Sequence, residues 1–187
     1  MNKQQAIKNL EDFYEVLDFS PVILDGGTLL GAYRDKDFCE DDWNDIDLTT
    51  YKENFYNIES FKKKMIEKGF EIKKEWKPED KKTAQLVFKR NGCKIDLMFK
   101  DFKNEKAWWC VYKYKGDKDL GVVYKAVDRN FYENLEVIEF YGMFFKRPKK
   151  IKKYLRTRYG NWKIPIHRKN YSCYTTDLSI KNCYEEI

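Results

Sequence analysis

The chain has 187 residues, enough for one domain with a substantial core, and 36% of them are charged, leaving a net charge of +6. No apolar run approaches the roughly 20 residues of a spanning helix, and the opening MNKQQAIKNLEDFYEVLDF lacks the continuous apolar stretch of a signal peptide. No transmembrane segment is therefore expected, and a cytoplasmic location is the default.

Ala6, Ile7, Leu10, Phe13, Tyr14 and Leu17 recur at helical spacing, which predicts an amphipathic helix over residues 3–18, closed off by Pro21. The apolar run 22–24 reads as a short buried strand meeting Gly26-Gly27, with Thr28 as N-cap of a brief helix through Ala32 or Tyr33. Residues 34–44 are polar and turn-rich. Asp45-Ile46-Asp47-Leu48-Thr49 then alternates acid with apolar, the pattern of a strand with one buried face. Ile58, Phe61, Met65 and Ile66 predict a second helix stopped by Gly69, followed by a strand over 70–76.

Two strand-like runs, LVFKR and CKIDLMF, flank Asn91-Gly92, a strong short-range hairpin signal. Residues 101–135 are rich in Tyr, Trp and Lys with weak periodicity and receive no assignment. Residues 136–140 and 143–146, joined by Tyr141-Gly142, make a second hairpin. Pro148 is expected to open a basic helix to about Tyr159, ended by Gly160. With no repeat, low-complexity tract or linker, the expectation is one α/β domain over residues 1–187, with a basic helix and tail from about residue 148.

Successive strand side chains alternate in direction, so Asp45 and Asp47 share a face, about 6.5 to 7 Å apart. Two carboxylates side by side repel and call for a counter-ion, and Mg²⁺ or Mn²⁺ has the matching preference for hard oxygen ligands. Within Ile95-Asp96-Leu97, Asp96 faces away from its apolar neighbours as Asp45 and Asp47 do from Ile46. If both strands bury their apolar sides against the same helices, all three acids share a surface, suited to metal ions that steer an attack at phosphorus. A Gly26-Gly27 turn at a helix start offers bare N–H groups to a phosphate. Each piece alone is commonplace; their order makes the pattern of the polymerase-β-like nucleotidyltransferase superfamily.

GGTLLGAYRDKDF followed by WNDIDL resembles the LicD family, which includes the fukutin-related proteins. KIDLMF is similar to that family's third-carboxylate strand, and YLRTRYGNWKIP to its C-terminal segment, so the resemblance runs from about residue 22 to Pro165. It implies a nucleotidyltransferase fold, a mixed central sheet flanked by helices, and transfer of a CDP-activated group such as phosphocholine or ribitol phosphate onto a glycan. The same resemblance implies Asp45, Asp47 and Asp96 as metal ligands and catalytic acids, with Asp96 a candidate base for the acceptor hydroxyl. Gly26, Gly27 and Thr28 would border the donor phosphates, and Arg34 would contact a phosphate unless it is simply a surface arginine. The family has three aspartates in a row after tryptophan, whereas this chain has Trp43-Asn44-Asp45 with Asp41 and Asp42 displaced upstream, so the loop before the strand is rearranged.

Other chemistries fit less well. Cys39, Cys93, Cys110, Cys173 and Cys183 form no C-x-x-C pair, which speaks against a disulfide framework and a zinc site. His167 is the single histidine, and no G-x-S-x-G elbow accompanies it. Trp108-Trp109 with Tyr112 and Tyr114 suits stacking on a base, a sugar or a choline-type cation, or plain core packing. The basic helix suggests nucleic acid, but no RNA-recognition or helix-turn-helix signature is present, and three aligned carboxylates would repel a phosphate-rich polymer. Two alternatives stay open: a nucleotidyltransferase moving a nucleotide from an NTP to a small-molecule hydroxyl, and a silent nucleotide- or glycan-binding module.

Overall fold

In the computed structural model of the chain the described residues are 2–40, 42–54, 58–76, 85–115 and 118–165; of residues 54, 110–115 and 118–124 the backbone alone is described. Helix α1 (Lys3–Glu15) begins at Asn2, whose side chain accepts the Gln5 N–H. It leads into β1 (Ile23–Leu24), α2 (Gly26–Arg34), β2 (Asp45–Tyr51), α3 (Ile58–Glu67), β3 (Glu71–Trp76), β4 (Gln85–Arg90) and β5 (Cys93–Lys103). The chain continues through β6 (Lys106–Lys115), β7 (Lys118–Asp128), α4 (Asn130–Glu133), β8 (Leu135–Phe140), β9 (Met143–Pro148) and α5 (Ile151–Tyr159).

The strands form one mixed sheet in the order β3-β4-β5-β2-β1-β9-β8, with β6 paired to the far end of β5 and to β7. Strands β2 and β5 are parallel, as are β1 and β9; the other neighbours are antiparallel. The fold is thus mixed α/β with helices flanking a central sheet, in keeping with the nucleotidyltransferase-type architecture. Both hairpins turn where the sequence places them: Asn91-Gly92 and Tyr141-Gly142 have φ of 50° and 78°, and 52° and 77°, the left-handed pair that matches the twist of a two-residue turn.

One face of the sheet is apolar. Phe88 pairs with Ile95 and Ile95 with Ile46 across β4, β5 and β2, all fully buried. Phe61 of α3 packs edge-on against both Phe88 and Phe13 of α1, with ring centroids 5.7 and 5.5 Å apart, so α1 and α3 cover this face. Each such ring contributes roughly 1.5–3 kcal/mol by leaving water. At the same end of the sheet Arg90 is tied down by Asp12 at 2.5 Å and Asn9 at 2.9 Å, which explains two polar positions in the buried stripe of α1. The opposite face carries the acids.

Several boundaries depart from the sequence reading. Helix α1 stops at Glu15 rather than 18. Ile66 is 55% exposed, so the apolar stripe of α3 is Ile58, Phe61 and Met65. Pro148 closes β9, paired with Leu135, and the basic helix starts at Ile151. That helix is no solvated rod: Ile151, Tyr154, Leu155, Arg158 and Tyr159 are buried. The unassigned stretch 101–135 proves to be the end of β5, the β6–β7 hairpin and α4. Among the described residues no helix is long and apolar enough to cross a membrane.

Candidate active site

The short β1 delivers the chain to Asp25, the N-cap of α2, whose Oδ1 accepts the Gly26 N–H at 2.8 Å. Thr28, expected as the cap, is instead the third residue of the helix, in its first turn. Its buried hydroxyl accepts the Asp47 N–H at 2.9 Å and fastens the helix to β2. The Gly27 N–H donates to Asp47 Oδ2 at 2.9 Å, so the N–H groups of the glycine turn point at Asp25 and Asp47 rather than standing bare for a phosphate. Gly26 has φ of 53°, and a Cβ there would lie 2.5 Å from Asp47 Cγ and 2.8 Å from its Cβ; a side chain is excluded by the carboxyl group itself. Gly31, one helical turn on, is equally constrained, because a Cβ would come within 2.5 Å of the Asp37 carbonyl oxygen and the Cys39 nitrogen.

In the parallel β2–β5 pair Asp47 lies opposite Asp96, Asp45 opposite Lys94, and Ile46 opposite Ile95. The three acids therefore share one face, away from α1 and α3. Asp45 Oδ2 is 3.0 Å from Lys94 Nζ. Asp96 receives the Gln85 Nε2 on both oxygens, at 2.9 and 2.7 Å, while Gln85 Oε1 is buried with no partner among the described residues. Among the described residues neither Asp47 nor Asp96 forms an ion pair, although the charges of Lys94 and Lys74 are felt at Asp96. Burial, then the charges of Asp45, Asp96 and Asp25, hold the Asp47 carboxyl well above the usual carboxylate range, against the pull of the Gly27 N–H. Burial and the Asp45 charge push Asp96 up to about 7, opposed by the Gln85 amide and Lys94.

Asp25 has the opposite electrostatics. Its carboxylate lies 3.1 Å from Lys100 Nζ and 3.0 Å from Arg158 Nη1, and accepts the hydroxyls of Thr49 at 2.9 Å and Tyr154 at 2.5 Å. Burial alone would raise its pKa, but Lys100, Arg158, Tyr154 and the Gly26 N–H together hold it well below the usual range. Lys100 is itself fully buried over the Trp109 ring, 3.3 Å from the centroid, and burial pushes its ammonium down to about 8 despite Asp25. Trp109 is thus a core residue beneath three cations, since Arg158 also lies over it at 5.1 Å and Lys125 at 5.9 Å.

Arg34 stands at the far end of α2, about 12 Å along the helix from Gly26 at 1.5 Å per residue. Its guanidinium grips Asp35 through two bonds of 2.8 and 2.7 Å and donates to the Trp162 carbonyl at 3.1 Å. Of the displaced acids before β2, Asp42 is buried in a turn, its N–H bonded to the Cys39 carbonyl and its carbonyl to the Asp45 N–H, while Asp41 lies outside the described residues. Cys39 and Cys93 are free, buried thiols. The side chains of Tyr112 and Tyr114, and His167 altogether, lie outside the described residues.

A glycine turn, an Asp-x-Asp strand and a third acid in register beside it are now one surface. A family model described as LicD/FKTN/FKRP, nucleotidyltransferase domain, matches residues 20–150, well over half of the chain. The chain belongs to the LicD family. A comparison with curated proteins gave no match. LicD proteins are transferases of the phosphotransferase type that act on glycans and cell-wall polymers. The matched LicD span holds Asp25, Gly26, Gly27, Asp45, Asp47, Lys94 and Asp96, and ends just before α5.

Sequence reasoning singled out the acids but missed Asp25, Lys94, Gln85 and Lys100. Asp25 had a usable signal, an Asx residue directly before a Gly-Gly helix start. Lys94 precedes Asp96 by two on the same strand and so shares its face. Lys100, four residues after Asp96 on that strand, carried the same signal, whereas Gln85 carried none.

Proposed function

We propose that this chain is a metal-dependent transferase that moves a phosphate-linked group, such as phosphocholine or ribitol phosphate, from a CDP-activated donor to a sugar or glycan hydroxyl. The observation that carries the reading is the Asp47–Asp96 pair, side by side on neighbouring strands next to the glycine turn, with no ion pair to either among the described residues. Two adjacent carboxylates, both shifted toward the neutral form by burial and by the Asp45 charge, are a site that gains most from a divalent cation.

The donor set fits Mg²⁺ or Mn²⁺. It consists of carboxylate oxygens only, and among the described residues no three His, Cys, Asp or Glu side chains gather closely enough to hold a metal by themselves. Such a site suits an ion that takes one or two protein carboxylates and completes its shell with water and substrate phosphate, the usual habit of Mg²⁺. Asp47 and Asp96, with Asp45 beside them, would hold it. When bound, the ion supplies charge neutralisation at the donor's phosphates. The chain's own residues do the rest. Gly27 N–H orients the Asp47 carboxylate, Gln85 orients Asp96, and Asp96 would be the base that takes the acceptor's proton. The partners this reading implies are a nucleotide-activated donor and a glycan acceptor in the cytoplasm, with no nucleic acid.

Incubation with CDP-choline or CDP-ribitol, and separately with NTPs, each with Mg²⁺ or Mn²⁺ and followed by mass spectrometry, tests it. Metal-dependent release of CMP is the expected result. Pyrophosphate released from an NTP would make the chain a nucleotidyltransferase acting on a small-molecule hydroxyl. Nucleotide uptake in a calorimeter with no turnover and no metal dependence would make it a silent binding module.

A further inference from the structure

The LicD match ends at residue 150, and α5 begins at Ile151, yet α5 supplies much of what holds Asp25. Tyr154 donates its hydroxyl to Asp25 Oδ1 at 2.5 Å; Arg158 Nη1 reaches that oxygen at 3.0 Å and the Tyr154 hydroxyl at 2.6 Å. The same Oδ1 accepts the Gly26 N–H. One residue further, the Gly27 N–H holds Asp47 Oδ2, and the Asp25 backbone N–H holds the Asp47 carbonyl at 3.1 Å. Contacts run without a gap from α5 through Asp25 and the glycine turn to Asp47.

Two features make this more than a way of attaching a helix. The apolar residues Ile151 and Leu155 of α5 are already buried in the core, and well-packed apolar residues hold a helix as firmly as buried ions do. The polar set instead fixes an orientation. Oδ1 of Asp25 takes Tyr154, Arg158 and Gly26 while Oδ2 takes Thr49 and faces Lys100, so rotation of the carboxylate breaks contacts on both sides. The turn beside it has no slack, because the Asp47 carboxyl fills the place where Gly26 would carry a Cβ.

We propose that α5 belongs to the catalytic apparatus: Tyr154 and Arg158 are positioning residues that act through Asp25 to fix the Gly26-Gly27 turn and thereby the direction of the Asp47 carboxylate. The inference rests on Asp47 being the metal-side carboxylate of the proposed transferase. It also means that the segment matched by the family is incomplete as a working site without the helix that follows it.

Amide hydrogen exchange of the full chain, read at Gly26 and Gly27, together with Mn²⁺ titration by calorimetry, tests the assignment. Arg158→Met should speed exchange at the two glycine amides about tenfold or more, leave the β4–β5 hairpin amides unchanged, and weaken Mn²⁺ binding by about five- to tenfold. Tyr154→Phe removes one oxygen atom and should give the same pattern at smaller size, keeping the test open if Arg158→Met does not fold. Arg158→Lys should recover part of the affinity. Unchanged exchange at both glycines overturns the proposal, as does an increase spread evenly over the sheet, the mark of a purely structural role. Failure of the unaltered chain to bind Mn²⁺ would sink the metal reading instead, while the glycine exchange still judges the link from α5 to the turn.

Discussion

Asp25 and Asp47 are neighbours, joined by a backbone hydrogen bond of 3.1 Å, and both are drawn out of water, yet the fold treats them in opposite ways. Asp25 is given two cations, two hydroxyls and an N–H, and stays ionised. Asp47 is given one N–H and two further acids on its face, and is pushed toward neutrality. A buried charge with its countercharge in place is a structural joint; one without is a group held ready for a cation that the polypeptide does not supply. The basic helix α5 serves the first carboxylate, which leaves the second open.

Substitutions at the two positions should therefore fail differently. Asp47→Asn is expected to lower turnover by a factor on the order of 10³ or more, because it removes a ligand charge used in the reaction, while its amide oxygen still accepts the Gly27 N–H and the fold persists. Unaltered turnover with a CDP-linked donor would refute the assignment. Asp25→Asn leaves Lys100 and Arg158 buried beside a neutral group, and breaking such a set costs about 3–5 kcal/mol, so denaturant unfolding should show a large loss of stability. A variant as stable as the parent would show that the two cations find other partners.

The pH dependence sharpens the contrast. A carboxyl whose native pKa is raised to about 7 favours the folded state less and less as pH rises from about 4 to about 7. Asp25, with its pKa lowered, contributes stability above the ordinary carboxylate range that is lost as pH falls below it. Metal-free protein should accordingly lose stability between pH 4 and pH 7, and Asp96→Asn should flatten that slope by up to about 4 kcal/mol over the interval in thermal unfolding at a series of pH values. A slope identical to the parent's would remove Asp96 from the account. The smallest effect is expected at Lys94, half-exposed and paired with Asp45 at 3.0 Å. Lys94→Met removes a competitor for that carboxylate, and Mn²⁺ affinity measured by calorimetry should rise about two- to fivefold, in line with the ~1 kcal/mol of an exposed pair.

Much of the fold was legible because the signals were local. Asn91-Gly92 and Tyr141-Gly142 demand a turn wherever they occur between strand-like runs, and the alternation in Asp45-Ile46-Asp47 requires both acids on one face, with Ile46 fully buried on the other. The β6–β7 hairpin was not legible, since its runs of Tyr, Trp and Lys show no clean two-residue period. Thr28 looked like a helix cap for the same reason Asp25 should have, a short polar side chain near a glycine; the choice depended on which oxygen lay within reach of the first free N–H.

By itself the sequence determined which residues form strands and turns and on which face each acid stands, because those follow from the geometry of a few consecutive residues. The tertiary structure decided that Asp96 lies in register with Asp47, and that Lys100 and Arg158 spend their charge on Asp25. Those outcomes bring together residues 49 to 133 positions apart in the chain, and no local periodicity records which distant side chain will arrive at a given carboxylate.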